Sequence, residues 1–92
     1  MRYTCDDFIV LRSSENKMCS VGVFGKDIYA MRYICADGHN CYHNEYYRIT
    51  RDEFAGYPLN SETLITKYYK GHIRFLCSDY LGKNHATYSF EQ

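Results

Sequence analysis

Up to residue 49 the apolar positions of this chain recur at about every second residue, between residues 50 and 71 they recur every third or fourth, and beyond that they alternate again. The first period predicts strands and the second predicts helices. Residues 8–12 read as a strand, closed by the turn-like sequence Ser-Ser-Glu-Asn. Residues 18–24 follow, with Cys19, Val21 and Val23 alternating. Gly25-Lys26 places glycine first in a two-residue turn, which suits a type II′ hairpin. Residues 27–35 are apolar on both faces, as a strand in the middle of a sheet would be. A loop at 36–40 leads to a tyrosine-rich strand at 41–49. Thr50 and Glu53 then have the spacing of a capping box, opening a short helix over 51–57. Pro58 interrupts it. Asn60 or Ser61 can cap a second helix over 61–70, with Leu64, Ile65 and Tyr68 on one stripe and Gly71 just past its end. Ile73, Phe75 and Cys77 alternate in a fifth strand, and Ala86, Tyr88 and Phe90 in a sixth. The sum is an α+β fold: a four-stranded antiparallel meander plus a C-terminal hairpin, packed with one or two short helices.

The hairpin around residues 36–40 carries a further expectation. With that loop, Cys35 lies opposite Cys41, Ile34 opposite Tyr42 and Tyr33 opposite His43. Side chains two apart share a face, so Tyr29, Met31, Tyr33, Tyr47 and Ile49 form the more apolar side, expected to face the core. Arg32, Tyr42, Asn44, Tyr46 and Arg48 then fall on the opposite, outward side. Tyrosine and arginine are enriched at interface hot spots because they desolvate a broad area yet keep a hydrogen-bonding tip. These five are the candidate partner-binding residues.

Composition narrows the class. Ninety-two residues are enough for one small domain, residues 1–92, and a hydrophobic share of 46% is too high for a disordered chain. Net charge is zero and each half balances, six basic against six acidic residues over 1–49 and five against five over 50–92. That balance removes the basic tail of a phosphate-gripping protein. The first residues hold no apolar core of a signal peptide, and no apolar run approaches a membrane span. Five cysteines without CxxC spacing read as reduced thiols in a cytoplasmic setting.

Two clusters invite specific chemistry. Cys35, His39, Cys41 and His43 are zinc donors by type, but C-x5-C is not the tight knuckle that structural zinc sites use. The expectation is therefore no metal and no cofactor, with small apolar thiols beside a partly buried histidine. Lys67, Tyr68, Tyr69, Lys70 and Arg74 interleave cations with aromatics, the composition of a single-strand nucleic-acid site. Lysines at a helix C-terminus are equally explained by the helix dipole. No catalytic motif occurs, although Cys41 and His43 could pair as nucleophile and base.

A protein-binding module without enzymatic activity or membrane association is the leading expectation. A nucleic-acid-binding domain using residues 67–74 comes second, and a small Cys/His enzyme or zinc-stabilised domain third. In size and tyrosine content the chain resembles the small accessory proteins that lytic bacteriophages make to disable host proteins. That resemblance, carried by no motif, implies an inhibitor or modulator of a host or partner enzyme.

Overall fold

The computed structural model describes residues 3–15, 18–36, 42–79 and the backbone of 85–86. Six antiparallel strands run in sequence order across a single sheet: β1 (Phe8–Ser13), β2 (Cys19–Phe24), β3 (Ile28–Ala36), β4 (Tyr42–Arg48), β5 (Phe75–Ser78) and the two-residue β6 (His85–Ala86). The expected meander and closing hairpin are thus one continuous sheet, because β5 pairs with β4. Of the expected sixth strand, Tyr88 and Phe90 lie outside the described residues.

Between β4 and β5 come α1 (Arg51–Gly56) and α2 (Ser61–Leu64), the latter continuing as a π-helical segment, Ile65–Lys70. The Thr50 capping box forms as its spacing predicts: Glu53 N–H donates to Thr50 Oγ1 at 3.1 Å, and Thr50 N–H to Glu53 Oε1 at 2.8 Å. Both helices lie on the sheet face that carries Met31 and Tyr47. Val21, Met31, Tyr47, Ile49, Tyr57, Leu64, Ile65, Tyr68 and Phe75 are buried together there. The apolar side expected to face the core does so.

The other face also has a core. A 3-10 turn at Cys5–Asp7 folds Cys5 against Phe24, Ile28, Ala30, Tyr46, Leu76 and Cys77, with Tyr3 and Phe8 packed at the margin. Leu76 and Cys77 both join this cluster because a bulge between β4 and β5 sets Tyr46 against Cys77 and Tyr47 against Phe75. A second bulge makes Leu11 the extra residue of β1, between the pairs Val10–Gly22 and Arg12–Val21. Here Gly22 is required: a Cβ would sit 2.0 Å from the Ile9 carbonyl oxygen.

Two turns depart from expectation. The β2–β3 connection uses three residues, 25–27, with Phe24 opposite Ile28, and Gly25 takes the left-handed conformation at φ 64°. Between β3 and β4, Ala36 pairs with Tyr42 and Cys35 with His43. The expected Cys35–Cys41 pairing is therefore wrong by two residues. A slip of two keeps every side chain on its face, which is why the core side was right and the partners were not.

Candidate functional site

The five residues expected on an open face do not make one. Tyr42 is 71% exposed, but Tyr46 is only 4% exposed, its ring held edge-on by Phe8 at 5.1 Å and Phe24 at 5.7 Å. The N-terminal 3-10 turn, which has no hydrophobic periodicity to announce it, covers this part of the sheet. Arg32 is half-buried with its guanidinium over the Phe8 ring at 5.7 Å. Asn44 is tied to Asp79, its backbone N–H and its side-chain amide donating to the two carboxylate oxygens at 2.6 and 2.9 Å. Arg48 is half-buried.

The basic and aromatic run at 67–74 is dispersed in the same way. Tyr68 is buried and its hydroxyl donates to Glu53, while Lys67 pairs with Glu53 at 2.9 Å. Tyr69 turns to the sheet and lies against Tyr33, ring centroids 4.2 Å apart. The chain then leaves the helix through two left-handed residues, His72 and Arg74, at φ 50° and 54°. Lys70 and Arg74 are exposed, but neither tyrosine is available as a stacking platform.

Two other places stand out. The first is β1, which has one strand neighbour among the described residues and so forms an edge of the sheet. Edge strands are normally guarded by charges or proline. This one presents Ile9 at 57%, Val10 at 39% and Leu11 at 54% exposure in succession. Its one charged side chain, Arg12, is turned away from the edge: Nη1 donates to the Phe54 and Ala55 carbonyls at 2.9 and 3.2 Å. The pattern of apolar positions places β1 but carries no information on whether a strand lies on both of its sides.

The second is the loop end of the β3–β4 hairpin. With Cys35 opposite His43 and Glu45 two residues further on, thiol, imidazole and carboxylate share one face. Their ligand atoms all lie within 4.8 Å of one another, and His43 Nε2 meets Glu45 Oε2 at 3.0 Å. Burial is the main cause pushing the Cys35 thiol up to about 11, with the Glu45 carboxylate adding to it. His39 and Cys41, the remaining candidates of the sequence pattern, lie outside the described residues. Glu45 was missed because the expected pairing put Cys35 beside Cys41 instead.

No protein-family model, curated protein or solved structure matches this chain. Function therefore rests on the chemistry of these surfaces. Among the described residues no helix is long and apolar enough to cross a membrane.

Proposed function

We propose that the protein is a binding module that captures an extended segment of another protein along the outer edge of β1. The observation that carries this reading is the run of three exposed apolar side chains, Ile9, Val10 and Leu11, on an edge strand with no outward charge. A strand added there would gain main-chain hydrogen bonds for affinity and side-chain contacts for specificity. Asp6 and Asp7 are exposed at one end of β1 and Glu15 at the other, so the favoured segment is apolar in its centre and basic at its flanks. The same charges disfavour self-association. An antiparallel pair of β1 strands centred on Val10 would bring Asp6 and Asp7 of one copy next to residues 13–15 of the other, carboxylate towards carboxylate. Acting as an inhibitor or modulator of a partner enzyme is a role that such a module fills without catalytic groups of its own.

The test is selection from a random peptide library displayed against the protein, followed by affinity measurement on synthetic peptides. Enrichment of extended apolar peptides with basic flanks supports the reading. Ile9→Lys and Leu11→Lys, both at exposed positions, should leave the fold intact and weaken binding by about thirtyfold or more, the scale of an interface hot spot. Tyr42→Ala should leave it unchanged. Peptides whose affinity is indifferent to the two lysines, or an isolated protein that dimerises through β1, would overturn it.

A further inference from the structure

We infer that Cys35, His43 and Glu45 form a binding site for a divalent transition-metal ion, zinc being the ion their donor set fits best. The site is independent of the β1 edge and goes beyond the binding-module reading. It also reverses the expectation of no metal, which rested on the C-x5-C spacing; in the folded hairpin the donors are cross-strand and i, i+2 neighbours, and neither relation is a knuckle.

The geometry is close to a coordination shell. Zinc holds sulfur at about 2.3 Å and nitrogen or oxygen at about 2.0–2.2 Å, which separates tetrahedral donor atoms by roughly 3.3–3.8 Å. Here the donors already lie within 4.8 Å of one another. Small side-chain rotations on a fixed hairpin bring them to bonding distance. Three protein ligands leave the fourth position to a water.

Two tyrosine hydroxyls support the ligands from behind. Tyr47 donates to Glu45 Oε1 at 2.6 Å, which leaves Oε2 directed towards His43 and the space between them. The Cys35 thiol itself contacts the Tyr33 carbonyl oxygen at 3.8 Å, and the Tyr69 hydroxyl is placed to donate to the sulfur once a metal has displaced its proton. Donors placed behind both anionic ligands are the outer-shell pattern of metal centres. Charge fits as well. A thiolate and a carboxylate neutralise a dication while the imidazole stays neutral, so a half-buried site carries no net charge. Thiolate and imidazole select zinc-like ions over magnesium and calcium, which prefer all-oxygen shells.

Binding is balanced in atoms and charge. The Cys35 S–H bond breaks, a sulfur–metal bond forms, and one proton passes to the buffer. His43 gives up the Nε2 proton that it shares with Glu45, takes one up at Nδ1, and offers the freed Nε2 lone pair to the metal, so the net release stays one proton.

The test uses cobalt(II) and zinc(II) salts titrated into the reduced, chelator-treated protein at pH 8. Expected are a thiolate-to-cobalt charge-transfer band saturating at one ion per chain, displacement of cobalt by zinc, and release of one proton per ion, read by calorimetry in two buffers. Cys35→Ser should abolish the band, and Glu45→Gln should weaken binding by about 10-fold or more. Tyr47→Phe and Tyr69→Phe should weaken it by about 10-fold, the usual scale of an outer-shell contact. Cys5→Ser and Cys77→Ser, at the buried thiol pair on the opposite face, should retain it. Circular dichroism checks folding, and if Cys35→Ser is unfolded, His43→Gln at a half-buried position decides by the same readout. Absence of a charge-transfer band in the wild type, its persistence without Cys35 or His43, or its loss with Cys5 or Cys77 in a folded variant overturns the assignment.

Discussion

Glu53 accepts from the Thr50 backbone N–H, from Lys67 Nζ and from the Tyr68 hydroxyl, so one carboxylate ties the start of α1 to the π-helical segment. Desolvation would raise its pKa, but the hydrogen bonds from Tyr68, Thr50 and Lys67 outweigh it and hold the carboxyl at about 2, against an ordinary 4.5. A carboxyl depressed in the folded state contributes stability that is fully present above its unfolded pKa and is lost as pH falls through the folded value. Thermal stability should therefore decline between about pH 4.5 and 2, and Glu53→Gln should flatten that decline while lowering the melting temperature at pH 7. An unchanged acid limb in Glu53→Gln would contradict the network. The buried thiols make a second prediction at this scale. Burial is the chief cause raising Cys19 and Cys35 to about 11. At pH 8 roughly one molecule in a thousand then carries the thiolate, the reactive form. Iodoacetamide should leave both unmodified in the native protein and label them in denaturant, as peptide mapping would report. Rapid native labelling of Cys35 would show that it is more exposed and more acidic than its place beneath Tyr69 allows.

Among the elements, the β3–β4 hairpin best separates what periodicity can and cannot say. Alternation fixes which side chains share a face, and the faces of Met31, Tyr33, Tyr47 and Ile49 were legible from it. Alternation is blind to a slip of two, and the loop residues alone did not distinguish Cys35 opposite Cys41 from Cys35 opposite His43. The candidate metal cluster depends on that difference. The helix boundaries were legible because Thr50, Glu53, Pro58 and Gly71 are local signals that act within one turn. The 3-10 turn at Cys5–Asp7 was not, since a three-residue turn has no period, and its burial of Tyr46 closed the face on which a binding patch was expected. The bulge in β1 was equally silent, but it leaves a testable mark at Gly22. With the Ile9 carbonyl 2.0 Å from where a Cβ would stand, Gly22→Ala must push two paired strands apart. A loss of about 1–3 kcal/mol in chemical denaturation is expected, the range for overpacking. A neutral substitution would mean that β1 docks less tightly than its register with β2 implies.

At the scale of the whole molecule, a sheet buried on both sides uses its aromatics as structure. Tyr47, Tyr57 and Tyr68 are fully buried on the helix face, and Tyr46 is almost so on the other. Among the described residues, the tyrosines that suggested a recognition surface therefore mostly pack against the two cores. With Tyr68 buried and Lys67 paired to Glu53, single-stranded RNA or DNA should bind no more tightly than about 10 μM near 200 mM salt, within the range of non-specific contacts. Fluorescence anisotropy across a salt series checks this; sub-micromolar binding lost on replacing Lys67, Lys70 and Arg74 by alanine would contradict it. Among the described residues the packing leaves the apolar edge of β1 open, and the most direct test of the account is amide hydrogen exchange along that strand. In the isolated protein, the outward-pointing amides of residues 8–13 should exchange much faster than those of β2 and β3. In complex with a selected extended peptide, those same amides should become protected while β4 and the 67–74 region stay unchanged. Protection of β1 in the isolated protein, or a bound peptide that protects another part of the sheet, would contradict it.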